Sequence, residues 1–183
     1  MKKLLFLFIA LHCNLVLGQS NSVNERWAIN KNASEIIYVG KHFLHDWSGK
    51  NDNINGLLLI DQASNTINKI AVLLYVKDFD SGNSNRDSHS LEVLNAIRFP
   101  EINFYSENII NNNDSITFKG NLEFHGITIS KDIPALVNME SNKIELEGNF
   151  KVSLREFGIK APSFMLAEME DFIDLSFSLE FIK

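Results

Sequence analysis

Three neighbouring polar residues, Arg86, Asp87 and His89, form the first group in the sequence that could do chemistry. A histidine held by a carboxylate can act as a general base, and an arginine can hold an anion. No nucleophile lies beside them in a recognisable motif. Ser84 and Asp87, however, have the spacing of a helix capping box, and Arg86 and His89 could fasten that helix to its neighbours. The spacing favours this structural role, although the same cluster could also face the head group of a ligand.

A second group, His42, His45 and Asp46, contains side chains that bind zinc and other transition metals, and folding could add His89 or His125. The group lies in segment 40–55, the least regular part of the first half of the chain. Residues three apart on a strand point to opposite faces, so His42 and His45 could converge only on a helix or an irregular loop. We predict no metal and no cofactor. A metal-dependent or histidine-based enzyme that uses His42, His45 and His89 is the alternative.

Several classes of function find no support in the composition. The sequence contains no glycine-rich phosphate loop, no Gly-x-Ser-x-Gly elbow and no pair of cysteines, since Cys13 is the only cysteine. The formal net charge is −6, which argues against nucleic acid and against adsorption to an anionic lipid surface. We therefore predict no nucleic-acid partner, and we find no recognisable catalytic motif.

Strict alternation of apolar and polar residues runs through most of the second half of the chain. The clearest runs are 102–105, 115–124, 143–154 and 173–181. Each run would turn an apolar face inward and a polar face to water, as a half-buried strand does. About eight such strands joined by short turns suit a sheet that closes on itself. We predict an all-β fold, an antiparallel barrel of about eight strands.

One stretch breaks this alternation. Leu91, Leu94 and Ile97 recur every three residues, which predicts one short amphipathic helix over about 85–97. Pro100 is expected to stop it, because the residue before a proline is pushed out of the helical conformation. A lone amphipathic helix needs an apolar surface to lie on, and the open end of the barrel would supply one. The helix could therefore also cover whatever the barrel holds.

The amino terminus has the pattern of a bacterial secretory signal. Two lysines precede a short apolar run, which predicts a signal peptide over residues 1–18, cleaved near Gly18, and a periplasmic or secreted product. Lipid attachment at Cys13 is disfavoured, because His12 stands where a small residue is needed. No later segment is long enough to span a membrane as an apolar helix. With 183 residues, 45% of them hydrophobic, we expect a single domain over 19–183.

Five segments together resemble the YceI-like family of exported lipid-binding proteins. They occur in the family's order and extend over nearly the whole chain after the signal peptide. The segments are WAIN with Ser34 (27–34), RDSHSL (86–91), FPEINFYS (99–106), FKGNLEFHGIT (118–128) and REFGI (155–159).

The resemblance implies a lipocalin-like antiparallel barrel that binds, transports or sequesters a polyisoprenoid or similar long-chain amphiphile without catalysis. We then expect the tail and the head group of the lipid to meet two sets of residues. The tail is expected among Leu74, Phe104, Phe118, Phe124, Phe150 and Phe177, and the head group near Trp47, Arg86 or His89.

Whether the interior is open is a separate question. The chain has 14 phenylalanines, and inward aromatic residues more often form plain core than a pocket. An eight-stranded barrel is near the size at which inward side chains either fill the interior or leave room for one slender ligand. An extracytoplasmic interaction module with a filled core is therefore a further alternative.

Overall fold

The structure is a computed structural model that describes residues 24–112, 115–164 and 167–183. The predicted signal peptide, residues 1–18, and Cys13 lie outside these residues. The described chain forms twelve strands, one α-helix and three short 3₁₀ turns. The strands are β1 (Asn24–Ile29), β2 (Glu35–Gly40), β3 (Trp47–Asn51), β4 (Asn55–Asp61), β5 (Thr66–Tyr75), β6 (Glu101–Asn112), β7 (Ser115–Phe124), β8 (Ile127–Met139), β9 (Lys143–Ser153), β10 (Ser163–Phe164), β11 (Ala167–Glu168) and β12 (Phe172–Ile182), and the helix α1 spans Ser84–Val93.

Eight of the strands close into an antiparallel barrel. Its order is β1, β4, β5, β6, β7, β8, β9 and β12, and β12 pairs again with β1. Ala28 opposite Ile182 and Ile29 opposite Phe181 make the closing contact. Closure pairs the strand edges that an open sheet would expose. The predicted all-β, antiparallel barrel of about eight strands with one short helix is confirmed.

Strand β12 has two partners in succession along one side, β1 at one end and β2 at the other. A 3₁₀ turn at Lys31–Ala33 separates these two partners. Strand β2 pairs in turn with β3, and β3 is the last strand of the sheet on that side. We call the end of the barrel that carries β2, β3 and α1 the upper end. There the wall continues from β3 through a bridge between Lys50 and Asp80 to the segment that contains α1.

Strand β3 is a correction to the sequence analysis, which takes segment 40–55 as irregular. Residues 47–51, WSGKN, form a strand although they are mostly polar. Their backbone pairs with β2 from Gly40 opposite Trp47 to Ile36 opposite Asn51. Pairing with a neighbouring strand can impose extended structure on a sequence of weak strand propensity.

The helix differs from its prediction at both ends. Its N-cap is Asn83, not Ser84, because the Asn83 side chain accepts hydrogen bonds from the backbone N–H groups of Asn85 and Arg86, each at 3.1 Å. The helix ends at Val93, and Asn95 then takes a left-handed conformation with φ of 45°. Pro100 therefore lies too far along the chain to be what stops it. Within the described residues, no helix combines the length and the apolar character that a membrane crossing requires.

The lower half of the barrel is a packed core. Its largest side chains are almost completely removed from solvent, and they come from strands on all sides of the barrel. They are Trp27, Ile54, Leu58, Ile60, Ile67, Ile116, Ile144 and Phe181. Most of the strands continue from this packed half to the upper end.

Candidate functional site

A cavity of about 630 Å³ occupies the upper half of the barrel. Strands on all sides contribute mostly apolar side chains to its wall, and α1 contributes one more face. The inward residues of the strands are Ile36, Tyr38, Ile70, Val72, Leu74, Ile102, Phe104, Phe118, Leu122, Phe124, Ile133, Leu146, Phe150, Val152, Ile173, Leu175, Phe177 and Leu179. The strand alternation that predicts an apolar interior therefore encloses a hollow at this end.

All nine residues predicted to meet the ligand border this cavity. They are Trp47, Leu74, Arg86, His89, Phe104, Phe118, Phe124, Phe150 and Phe177. Phe118 is 2% exposed, whereas Phe150 and Phe177 are only half-buried although they point inward. An inward side chain that is still exposed faces empty space rather than other side chains. That any of these residues contacts a ligand stays a prediction.

Two inward glycines let aromatic rings lie flat against the cavity wall. A Cβ atom on Gly148 would lie 2.6 Å from the ring of Phe177 and 2.4 Å from the carbonyl oxygen of Pro134. A Cβ atom on Gly120 would lie 2.6 Å from the ring of Phe104. A side chain at either position would push the ring toward the middle of the barrel. The glycines therefore keep space open as well as easing the curvature of the sheet.

Arg86 and Asp87 fasten the start of α1 to Ser81. The Oδ1 atom of Asp87 accepts hydrogen bonds from the hydroxyl and the backbone N–H of Ser81, at 2.5 and 3.1 Å. Arg86 donates to the hydroxyl and the carbonyl oxygen of the same serine, at 2.9 and 3.1 Å. His89 is exposed, and its acidic neighbour is Glu92, with Nδ1 3.8 Å from the carboxylate. The capping box between Ser84 and Asp87 is therefore wrong, because the partner of Asp87 is Ser81.

Tyr38 is a cavity residue that the sequence analysis does not identify. It is half-buried on β2, and its ring meets Phe79 edge-on with the centroids 5.6 Å apart. Burial raises the pKa of its hydroxyl, which also has a hydrogen bond with Ser90. The alternation of Ile36 and Tyr38 was the available signal, since it places both side chains on one face of β2. Tyr38 supplies a neutral hydroxyl on a largely apolar wall.

His42, His45 and Trp47 form an aromatic cluster at the β2–β3 connection, also at the upper end. The ring centroids of His42 and His45 are 6.4 Å apart, and each lies 6.0 to 6.3 Å from that of Trp47. His42 is buried, and its Nδ1 accepts a hydrogen bond from the N–H of Leu44 at 3.3 Å. Asp46 is exposed. In the described ranges, no three histidine, cysteine or acidic side chains are grouped as a metal site.

Two aspartates tie the loops of the upper end together. Lys41 and Lys151 lie 2.8 and 3.0 Å from the carboxylate of Asp174, and these bonds hold its pKa below the usual range. Asp171 accepts a short hydrogen bond from the Ser153 hydroxyl and another, of 3.0 Å, from the N–H of Arg155. The Ser153 hydroxyl is the main cause of the lowered pKa of Asp171. These contacts join β2, β9 and β12 around the opening of the cavity.

Comparison with known proteins shows the family to which this fold belongs. Residues 27–181 match the model of the YceI-like domain. The chain belongs to the YceI-like family. A UPF0312 protein of Yersinia enterocolitica is 24% identical over 156 residues, which cover 79% of this chain and 81% of the relative. A UPF0312 protein of Pseudomonas paraeruginosa is 28% identical over 129 residues, which cover 66% and 68% of the two chains.

Solved structures of three other proteins show the same fold. BcnA of Burkholderia cenocepacia superimposes with a TM-score of 0.74 at 16% identity, over 83% of this chain and 98% of that one. A polyisoprenoid binding domain from Saccharophagus degradans gives 0.68 at 10% identity, over 85% and 97%. The YceI protein of Campylobacter jejuni gives 0.64 at 19% identity, over 74% and 84%. At these identities the likeness shows the YceI-like fold.

The YceI-like segments of the sequence meet one another at the upper end. His125 lies in the β7–β8 turn, where His125 and Gly126 have φ of 52° and 74°, as a tight hairpin turn requires. Its Nδ1 is 3.0 Å from the carbonyl oxygen of Phe157, and its ring centroid is 4.5 Å from that of Phe99. The ring of Phe157 in turn packs against Phe124 with the centroids 5.3 Å apart. Residues from three of the segments, 99–106, 118–128 and 155–159, thus pack together beside the cavity.

Proposed function

We propose that this YceI-like protein binds a long-chain isoprenoid-type lipid in the upper half of its barrel and does not catalyse a reaction. The observation that carries the proposal is the apolar cavity of about 630 Å³ inside the barrel. Ligand pockets in proteins commonly measure about 300 to 1,000 Å³. An eight-stranded barrel of this kind can hold one small ligand.

Hydrophobic burial alone could provide the affinity. Each methylene group taken from water contributes about 0.8 kcal/mol, so about ten buried carbons give roughly 8 kcal/mol before the cost of ordering the chain is subtracted. A lipid held in this way needs few polar contacts. That fits a cavity wall in which the strands contribute apolar residues and the hydroxyl of Tyr38.

The polar residues of the cavity wall lie mainly in α1 and in the β2–β3 connection, at the upper end, which suggests how the lipid lies. We place the tail among the inward strand residues Leu74, Phe104, Phe118, Phe124, Phe150 and Phe177. The head group would lie toward Trp47, Arg86 or His89, of which Arg86 and His89 belong to α1. A guanidinium at that position could attract an anionic group without being buried with it.

The comparisons support the ligand class. One structural neighbour, from Saccharophagus degradans, is a polyisoprenoid binding domain. The amino-terminal pattern of lysines followed by apolar residues supports export, and we propose that the protein acts in the periplasm as a single domain from residue 19. The hollow upper half argues against the filled-core module, and no described group of side chains favours the metal enzyme.

Solvent extraction of natively purified protein, followed by mass spectrometry, tests the proposal. We expect a stoichiometric isoprenoid-type lipid from the wild type. Val72→Trp should lose it, because the indole would occupy the cavity that Val72 borders. Leu73→Trp is the matched control, since its side chain leaves the same strand on the other face. Equal retention by both variants, or an empty wild-type extract, would refute the proposal.

A further inference from the structure

Exposed apolar side chains gather in loops at the upper rim of the barrel. Phe43 and Leu44 are consecutive in the β2–β3 connection and are 72% and 50% exposed. Ile97 follows α1 and is completely exposed. The sequence analysis expects Ile97 to pack with Leu91 and Leu94, but α1 ends at Val93 and Ile97 points to solvent. Loops are normally polar where they have nothing to pack against, so these three side chains need another explanation.

The other exposed apolar residues fall into two groups. Phe172 and Ile127, at the upper ends of β12 and β8, extend the same rim. The second group lies on strands, scattered around the barrel: Leu57, Tyr105, Ile110, Leu136 and Ile182. Scattered apolar residues are normal on a soluble protein and need no function. Exposed apolar residues are concentrated at one end, on two loops that pair with no strand. This concentration indicates a surface that another molecule covers.

Residues of both loops, or residues that flank them, border the cavity. His42 and His45, which flank Phe43 and Leu44, border it on one side. Leu94 and the exposed His89 border it on the other side, near Ile97. Phe43, Leu44 and Ile97 therefore lie within three residues of the cavity wall along the chain.

We infer that this rim docks on the surface of a neutral phospholipid bilayer, with Phe43, Leu44 and Ile97 inserted between the lipid head groups. The inference rests on the proposed lipid ligand. A hydrocarbon tail that passes from a bilayer into the barrel through water would expose its whole length. Contact between the rim and the bilayer removes that step, since the tail would slide from one apolar medium into another.

The charges near the rim argue for apolar insertion rather than electrostatic attraction. Lys41 is paired with Asp174, and Asp46 stands next to His45. Arg98, beside Ile97, lies over the ring of Phe99 at 5.2 Å. Anionic membranes are recognised by clusters of basic residues, and the chain as a whole has a net charge of −6. Trp47 at the same rim is a residue type that membrane interfaces favour.

Sedimentation with phosphatidylcholine vesicles tests the inference. We expect the wild type to bind, and the triple variant F43S/L44S/I97S to bind at least about tenfold more weakly. The control L57S/L136S/I182S removes three exposed apolar residues from strands and should bind within about twofold of the wild type. Binding should also persist in about 0.5 M salt, where electrostatic attraction is screened.

Three results would overturn the inference: no wild-type binding, equal losses in the two triple variants, or release of the wild type by salt. Circular dichroism and thermal unfolding of each variant check that the fold is intact. Solvent extraction of the same preparations separates this inference from the proposed function. The rim variant should still contain lipid, because its three substituted side chains lie outside the cavity wall.

Discussion

The lower and upper halves of the barrel share most of their strands and the same alternation, yet one is packed and the other is hollow. In the lower half, Leu58, Ile144 and Phe181 are completely buried. In the upper half, Phe150 and Phe177 point inward but are only half-buried. Alternation decides which side chains face inward. The space between them decides whether they touch.

The difference follows from how the wall is built at each end. In the lower half β1 and β4 bring Trp27 and Leu58 into the barrel between β12 and β5. In the upper half β2 and β3 replace them, and the wall from β3 to β5 passes through α1, which has no fully buried residue. A wall segment that adds circumference without filling the interior leaves a cavity. The cavity thus arises here from a change of wall, while the core pattern stays the same.

Truncation of one phenylalanine in each half should give the largest contrast. Phe181→Ala should lower the free energy of unfolding by about 3–5 kcal/mol, because it opens a cavity in packed surroundings. Phe177→Ala should cost roughly half as much, since its ring already borders empty space. Urea denaturation measures both values. Equal losses would mean that the two halves are equally packed.

A side chain at Gly148 should act on the upper half through Phe177. The Cβ of Gly148→Ala would lie 2.6 Å from that ring and 2.4 Å from the Pro134 carbonyl oxygen, so we expect a loss of about 1–3 kcal/mol in urea denaturation. Asn149→Ala, the next residue and exposed, should change stability by no more than about 0.5 kcal/mol. If Gly148→Ala left the free energy of unfolding unchanged, the ring would have room to move and the glycine would not shape the cavity.

The cap of α1 gives a local test of how the upper wall is held. Asn83→Ala should raise the hydrogen exchange rate in α1 by about fivefold, the equivalent of about 1 kcal/mol, because two N–H groups lose their acceptor. Ser84→Ala should leave exchange nearly unchanged, since Asn83 is the cap. The reverse result would restore the capping box that the sequence suggests.

Acid should loosen the upper end slightly. The bonds from Ser153 and Arg155 hold the pKa of Asp171 below its ordinary value of about 3.9, so the folded state favours the charged carboxylate. The stability that the charged Asp171 gives to the folded state is present above about pH 4 and disappears as the pH falls through the lowered pKa. Thermal unfolding of wild type and Asp171→Asn should differ at pH 7 and converge near pH 2. A difference that persists in acid would mean that the charge is not what stabilises the contact.

The sequence predicted the parts of the fold that follow a strict period. Strands β7, β9 and β12 lie where the alternation places them, and the helix lies between β5 and β6 as its three-residue spacing indicates. It could not predict β3, because WSGKN is polar and becomes a strand only by pairing with β2. It misjudged Ile97, because the left-handed turn at Asn95 ends the helical spacing before that residue.

The candidate site was predictable in part for a related reason. Inward positions such as Phe118 and Phe177 can be read from alternation, and all nine predicted residues border the cavity. The cavity depends on the distance across the barrel, and the periodicity of the sequence gives no information about that distance. Tyr38 was missed because the sequence does not reveal whether the hydroxyl of a tyrosine in a strand lies in a pocket or in solvent.

A crystal structure of the natively purified protein, with whatever it retains, tests the central claim most directly. The account predicts elongated density between Val72 and Phe177 in the upper half, and none among Trp27, Ile144 and Phe181 in the lower half. An upper half in which the inward side chains meet and leave no tunnel would contradict it.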